Sequence, residues 1–570
     1  MSKRIIIDPI TRLEGHGKID IFLDDKGDVE RAYLQVPDFK GFEKFCEGRA
    51  AEEMPAITQK ICGVCPTAHH TASCKGLDDL FKVDPPPAAK KLRELMYNAF
   101  IFEDHLLHFF ILGGPDLFVG SEAPRNERNI FGVIQKLGVE IGKKVIDIRN
   151  RVRGVNAVIS GGPLYPVFGL PGGVSKGLTE EERVKIQVVA KDAVEFGEFA
   201  IQLFLDKVFA DKTFADLLRG DIFYHDTYYM GMVDESNRVN FYDGKIRVVD
   251  PEGKELIKFG ARDYLNHIEE RVEPWTYLKI LYLKDVGWQG FVSGKDSGVY
   301  RVGPLARLNV SDGMATPLAQ AAFDKMFDVF GSRPVHNTLA YHWARVIEVL
   351  YAAERMEELA RDKDLVSPHV RNVPDGIPDE GFGVCEAPRG TLFHHYTTNR
   401  EGMIEKVNLL VGTQNSAAAI CMSIEKAARA LTGGAAVERN TGNLVLPPVQ
   451  VAGEHDVLVA VIVEIGDGGV VCAVRGQPRG GRIVDTALAA VENPARAVVV
   501  VLLHVRCEQD VWIAVGIHIP HGGAHRGADR KILHDGLVER APCVLVKEAR
   551  GRPADAVGVY DLRIIRWNLR

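Results

Sequence analysis

Two cysteines separated by two residues offer the clearest chemistry in this sequence. Cys62 and Cys65 lie in the segment Lys-Ile-Cys-Gly-Val-Cys-Pro-Thr-Ala-His-His, which runs from residue 60 to residue 70. Two intervening residues, one of them a glycine, let the backbone wrap around an ion so that both sulfurs face one soft metal. His69 follows Cys65 by one helical turn, from where it can donate a hydrogen bond to a thiolate. By itself the pair is compatible with zinc, an iron-sulfur cluster, a redox disulfide or nickel.

Most of the chain shows the spacing of long helices. Apolar residues recur at helical spacing between the triple proline at 85–87 and Gly113, and this predicted helix carries Asp104 and His108 on one face. Further helical patterns extend over residues 126–152, 179–209, 338–362 and 402–432. Several of these segments are long enough to form a central bundle.

Strand patterns are confined to two regions. Residues 4–37 alternate apolar and polar around Asp24-Asp-Lys-Gly27, which predicts a hairpin. Residues 220–310 contain turn and strand signatures typical of a small peripheral sheet. The predicted fold class is therefore α+β, mainly α, with a central bundle of long helices and small peripheral antiparallel sheets.

Composition excludes several classes of protein. The formal charge of -7 and the lack of a basic stripe argue against nucleic acid as a partner. No stretch of about 18 apolar residues predicts a membrane span, and the N-terminal residues lack an apolar signal core. Nine cysteines are too few and too irregular for a disulfide scaffold, so Cys46, Cys74 and Cys421 are expected to be small buried hydrophobic residues. A cytoplasmic protein is expected.

The composition changes near residue 433. All 26 phenylalanines and all 10 methionines precede this position, and only Lys531 and Lys547 follow it. A repeat with an offset of 54 residues relates the segment from Asp456 to the segment from Asp510, which predicts a β-leaning extension. Residues 433–570 are an appended domain, a degenerate region or the translation of a shifted reading frame, and the abrupt change favours the shifted frame.

Several motifs in residues 4–432 together resemble the large, catalytic subunit of nickel-iron hydrogenases, of the soluble, cofactor-coupled type. The run from Arg4 to His16, Arg-Ile-Ile-Ile-Asp-Pro-Ile-Thr-Arg-Leu-Glu-Gly-His, precedes the cysteine pair at the distance seen in this family. The other matching segments are Gly41-Phe-Glu43, Asp104-His105, Gly303-Pro-Leu-Ala-Arg-Leu-Asn-Val310, Cys385-Glu-Ala-Pro-Arg-Gly390 and Thr413-Gln-Asn415.

The resemblance implies a nickel-iron centre in which the iron carries cyanide and carbonyl ligands. Cys62 would be the terminal nickel ligand, and Cys65 would bridge nickel and iron. Arg389, which follows Pro388, would hold its guanidinium over the open metal position, and Asp104 would orient it. A planar group with a permanent charge suits that place.

The resemblance also implies a proton path, a second metal and protein partners. Glu14 matches the family's proton-transfer carboxylate, and desolvation would suit it to a proton relay. Glu43 matches a carboxylate that helps to bind magnesium or a similar ion. Because this sequence has no iron-sulfur cysteine pattern, electrons are expected to leave through an iron-sulfur small subunit, followed by further electron-acceptor subunits of a hetero-oligomer.

One motif of the family is missing. The family closes its metal site with a second CxxC, introduced by Asp-Pro near the C-terminus, and after Cys421 this sequence has only the isolated Cys472, Cys507 and Cys543. The leading interpretation is the catalytic subunit of a cytoplasmic hydrogenase that converts dihydrogen reversibly into protons and electrons. The alternative is a non-catalytic, hydrogenase-derived structural or electron-transfer subunit that lacks the second pair. Retention of the first pair together with Arg389 favours the enzyme.

Overall fold

The computed structural model describes residues 4–10, 13, 15–37, 41–120, 123–432, 458–460, 483–493, 496–505 and 511–518. They divide into two units, Met1–Val451 and Ala452–Arg570. The helices are α1 Phe42–Cys46, α2 Met54–Thr58, α3 Pro66–Leu80, α4 Pro87–Leu107, α5 Ile130–Leu137, α6 Val139–Ser160, α7 Glu180–Leu203, α8 Lys212–Arg219, α9 Tyr264–His267, α10 Pro304–Val310, α11 Pro317–Phe330, α12 Ala340–Arg361, α13 Gly412–Asn415 and α14 Ala417–Thr432.

The strands of the first unit are β1 Arg4–Ile7, β2 Lys18–Leu23, β3 Val29–Gln35, β4 Gly169–Leu170, β5 Gly173–Val174, β6 Tyr228–Val233, β7 Lys245–Val249, β8 Glu255–Phe259, β9 Ile268–Arg271, β10 Ile280–Leu283, β11 Tyr300–Arg301, β12 Glu380–Ala387, β13 Gly390–Thr398 and β14 Ile404–Leu410. Those of the second unit are β15 Leu458–Ala460, β16 Ile483–Asn493, β17 Arg496–Val505 and β18 Val511–His518.

Four long helices form the centre of the first unit. Helix α12 packs against α4 and α7, and α6 packs against the same two helices. Small and apolar residues cover α12 almost all the way round, as expected for a helix that is buried on every side, and Trp343 is only 1% exposed. This bundle confirms the predicted fold, mainly α with small sheets at its edges.

The long helices begin where the sequence supplies caps. Before α7, Thr179 Oγ1 accepts a hydrogen bond from the Glu182 backbone N–H at 3.2 Å, and the Glu182 carboxylate accepts one from the Thr179 N–H at 2.9 Å. This capping box satisfies two backbone donors that the helix itself leaves unpaired. Helix α4 begins at Pro87, whose missing N–H costs nothing in a first turn.

The small sheets lie where the strand patterns predict them. Strands β1, β2 and β3 form an antiparallel sheet, and the predicted hairpin joins β2 to β3. The 220–310 region contains a four-stranded sheet in the order β11-β6-β7-β8. Within it, β11 runs parallel to β6, so this sheet is mixed rather than wholly antiparallel as predicted.

The helix predicted over residues 402–432 is wrong for its first part. Ile404–Leu410 is strand β14, which pairs antiparallel with β13, and the helix α14 begins only at Ala417. Ile404, Val407 and Leu410 are all buried and recur every third residue, a spacing that also fits one face of a helix. The neighbouring strand decides between the two, because it offers backbone partners that a helix would not use.

The second unit contains a sheet in the order β15-β18-β17-β16. Strands β15 and β18 pair in parallel, with Leu458 opposite Trp512 and Ala460 opposite Ala514, which is the 54-residue offset of the sequence repeat. Cys472, Cys507 and Cys543 lie outside the described residues. The proposed domain boundary near 433 and the reading-frame explanation stay predictions. Among the described helices, none is long and apolar enough to cross a bilayer.

Candidate metal centre

The cysteine pair sits in a tight turn at the start of α3. Cys65 immediately precedes this helix, and its backbone N–H donates to Cys62 Sγ at 3.0 Å. The Cα atoms are 5.3 Å apart and the two sulfurs are in contact, paired with each other. Each cysteine is 8% exposed. The turn therefore directs both sulfurs to one place beside a helix N-terminus, where the helix dipole favours thiolates.

His69 lies one turn along α3 and belongs to a buried chain of polar groups. Its Nδ1 is 3.1 Å from His394 Nε2, His394 Nδ1 is 2.6 Å from the Tyr396 hydroxyl, and that hydroxyl is 2.9 Å from Ser73 Oγ. With Nδ1 occupied, only Nε2 of His69 remains for a thiolate. Burial and the charge of Arg389 lower the pKa of His69 to about 3, so the ring is neutral.

The chain fixes what this neutral ring has to do if it donates to a thiolate. A proton on His69 Nε2 requires its Nδ1 to accept from His394 Nε2–H. His394 Nδ1 must then accept from the Tyr396 O–H. Sequence reasoning missed His394 and Tyr396, whose only local signal is the His-His-Tyr run in a buried strand. The hydrogen bond from His69 to a cysteine stays a prediction.

Arg389 occupies the tip of a hairpin. Ala387 at the end of β12 pairs with Gly390 at the start of β13, so Pro388 and Arg389 form a two-residue loop. The Arg389 Nη1 donates to Asp104 Oδ1 on α4 at 3.3 Å. The Asp104 side chain is 1% exposed and that of Arg389 is 25% exposed. The structure therefore brings together two predicted site residues that are 285 positions apart in the chain.

The same core joins this hairpin to the cysteines. Cys62, Cys65, Cys385 and Ala387 belong to one cluster of buried apolar residues. Helix α3 touches β12 so closely that a Cβ on Gly383 would lie 1.9 Å from the Ala72 carbonyl oxygen. Of the cysteines up to Cys421, Cys62 and Cys65 form a pair, while the others, Cys46, Cys74, Cys385 and Cys421, are buried and free.

The residues present suit one half of a nickel-iron centre. The paired sulfurs are soft donors, as nickel prefers, and two buried atoms of the neighbouring ion pair have no protein partner, Asp104 Oδ2 and Arg389 Nη2. Burial raises the pKa of Asp104, an effect that Arg389 and Arg345 oppose. In the described part of the chain no group of three or more histidine, cysteine or carboxylate side chains could hold a metal. Two sulfurs are therefore the full donor set found here.

The other two predicted site residues have different outcomes. Glu43 Oε1 accepts a hydrogen bond from the Leu409 backbone N–H at 2.7 Å, which ties α1 to β14. Its magnesium ligation stays a prediction. Glu14 lies outside the described residues.

Acid should destabilise the body of the protein because several histidines are buried as neutral rings. Burial lowers the pKa of His105 to about 4, that of His225 to about 3 and that of His342 to about 3. Below about pH 6.5 the unfolded chain takes up protons that the folded chain refuses, so stability is full above that pH and falls below it. Each ring contributes up to about 1.4 kcal/mol per pH unit.

The measurement is the thermal unfolding midpoint at pH 8, 7, 6 and 5. We expect it to be nearly level from pH 8 to 7 and to fall steeply below about pH 6.5, the ordinary histidine pKa. His342→Asn should flatten that fall. A midpoint that rises as the pH drops from 7 to 5 would contradict the prediction.

Comparisons with known proteins agree with this geometry. Residues 40–160 and 295–428 match the family described as nickel-dependent hydrogenase, and residues 4–39 match one described as HoxL-like. The chain is 48% identical to the iron-sulfur subunit of the F420-non-reducing hydrogenase of Archaeoglobus profundus, over 75% of this chain and 88% of that protein. It is 39% identical to a vhu subunit of the F420-non-reducing hydrogenase of Methanocaldococcus jannaschii, over 75% of this chain and 99% of that protein.

A solved structure shows the same fold. The NAD+-reducing [NiFe]-hydrogenase in the H2-reduced state superimposes with a TM-score of 0.72 at 35% identity, covering 78% of this chain and 96% of that one. Fold and site together define a helical metalloprotein whose cofactor is held by thiolates at the start of a buried helix. The chain belongs to the nickel-dependent hydrogenase family, whose members are oxidoreductases acting on hydrogen.

Proposed function

We propose that this chain is the active-site subunit of a nickel-iron hydrogenase, with Cys62 and Cys65 as one half of the thiolate set. When bound, the nickel-iron centre supplies the site where dihydrogen is split heterolytically. The chain's own task is to hold that centre and to present charge beside it. Arg389 supplies a fixed cation, and Asp104 holds the guanidinium in place.

The observation that carries the proposal is the convergence of the cysteine pair and the Arg389–Asp104 pair. An isolated structural zinc site would need four ligands and no buried arginine. A guanidinium with a buried, unpartnered Nη2, next to a carboxylate with an unpartnered Oδ2, suits a polar ligand from outside the protein. Glu14 is the proposed proton acceptor, by its place in the matching N-terminal motif.

Electrons need a way out that the described residues do not provide. Only one cysteine pair occurs among them, so an iron-sulfur partner is proposed as the electron carrier. Relatives of the chain are named as subunits of F420-non-reducing and NAD-reducing hydrogenases. Four buried free cysteines fit a reducing compartment, and a cytoplasmic location is proposed on that ground.

Nickel retention tests the proposal most directly. In protein produced together with its partner subunits, Cys65→Ala should lose its nickel because one of only two paired thiolates is gone. Nickel per protein is measured by mass spectrometry of the purified assembly. Cys421→Ala is the matched control, since burial raises the pKa of that thiol to about 12 and leaves no thiolate for a metal. Unchanged nickel in Cys65→Ala would refute the assignment.

A further inference from the structure

The tip of the Arg389 hairpin needs an external support. Pro388 lies in the two-residue loop, so its carbonyl is outside the strand ladder, and it has no N–H to anchor the turn. The side chain that is proposed to act over the metal therefore starts from a turn that the hairpin alone does not hold.

Arg307 on helix α10 provides that support. Its Nη1 donates to the Ala387 carbonyl at 2.9 Å and its Nη2 donates to the Pro388 carbonyl at 3.2 Å. These are the two peptide carbonyls that immediately precede Arg389. A guanidinium holds both because its donors form a rigid planar fork.

Two carboxylates hold Arg307 in turn. Its Nε and Nη2 donate to Glu348 at 2.6 and 2.7 Å, and its Nη1 donates to Glu386 at 2.8 Å. All three side chains are 0% exposed. With the two carbonyls included, all five N–H groups of Arg307 have an acceptor, so its position is fully determined.

Glu348 also connects this support to helix α4. Arg345 Nη1 can only donate, so His105 Nδ1 accepts at 3.2 Å and His105 Nε2–H donates to Glu348 at 2.8 Å. His105 follows Asp104, the residue that contacts the Arg389 guanidinium. One helical step of α4 thus reaches the arginine tip, and the next reaches the group that fixes its backbone.

Close glycine packing limits the remaining freedom of the tip. Gly303, with φ of +93°, lies under the tip, where a Cβ would come within 3.0 Å of the Arg389 carbonyl oxygen. A Cβ on Gly390 would come within 2.1 Å of Val302 Cγ2. The turn is therefore held from below by packing and from the side by Arg307.

We propose that Arg307 is a positioning residue that sets the location of the Arg389 guanidinium through the Ala387 and Pro388 carbonyls. The role rests on the proposed function of Arg389 but makes a structural claim of its own. Arg307 reaches the site only through the hairpin backbone.

Hydrogen exchange tests the structural claim without requiring a cofactor. In Arg307→Lys, amides of the peptide 385–392 should exchange about tenfold faster, because an ammonium cannot occupy both carbonyls and both carboxylates. Peptides of α4 should keep wild-type exchange. The matched control is Arg400→Lys in the exposed loop after β13. An unchanged rate in 385–392, or equal loosening of α4, would overturn the proposal.

A double-mutant cycle on dihydrogen–deuterium exchange tests the route of action. Arg307→Lys alone should lower activity by about 10- to 100-fold, as expected when a catalytic group is displaced. In an Arg389→Lys background it should cause little further loss, because both changes act on one group. A full additional loss would overturn the proposal, since Arg307 would then act elsewhere.

Two further outcomes keep the test decisive. If Arg307→Lys does not fold, Glu348→Gln, which keeps one acceptor for Arg307, should produce the same local loosening to a smaller degree. If the wild-type assembly shows no dihydrogen–deuterium exchange, the proposed function fails, and the amide exchange of 385–392 alone decides whether Arg307 supports the hairpin.

Discussion

Arg389→Lys is expected to lower hydrogen-deuterium exchange by about 100-fold or more while leaving the metals in place. Lysine keeps the positive charge but replaces a planar fork with a compact ammonium on a flexible stem. It cannot both contact Asp104 Oδ1 and direct a second, oriented donor toward the site. A loss of that size corresponds to about 2.7 kcal/mol of transition-state stabilisation.

The measurement needs activity and metal content from the same preparation. Nickel and iron per protein should match the wild type, which separates a catalytic defect from a failure to load the cofactor. Arg400→Lys, an exposed change in the loop after β13, should retain full activity. Wild-type exchange in Arg389→Lys would remove the role proposed for this residue.

The second large effect concerns the other half of the thiolate set. Grafting a segment that ends in an Asp-Pro-introduced CxxC in place of residues 433–570 should raise nickel affinity by more than about 100-fold. Changes merely around a ligand cost about 10- to 100-fold, so two additional thiolates should contribute more than that. Thiolates must also deprotonate to bind, so the gain should grow with pH.

The control for this graft carries serine at both added cysteines and should bind no better than the unmodified chain. Nickel binding is followed by equilibrium dialysis or by the sulfur-to-nickel absorption band. A chain that already binds one nickel tightly with residues 433–570 intact would show that those residues supply ligands. The reading-frame explanation would then be wrong.

The sequence alone determined the local parts of the site. The CxxC turn and His69 lie close together in the chain, so their mutual geometry follows from one turn and one helix start. The long helices were also predictable, because an amphipathic or buried helix repeats its apolar residues over many turns. The central bundle and the peripheral sheets confirmed that interpretation. Strand β14 did not follow it, since a short segment with apolar side chains at every third position satisfies both patterns.

Tertiary structure decided everything that joins distant segments. Arg389 meets Asp104 only because β12 packs against the helices of the core, and Arg307 meets Glu348 and Glu386 only where three separate elements converge. The sequence motif around Arg307 was visible, but nothing in it shows that all five donors are used. A buried charge is tolerable only where the fold supplies every partner, and the partners of Arg307 come from positions 41 and 79 residues away. That dependence on the completed fold is why the positioning of Arg389 could be derived only from the three-dimensional structure.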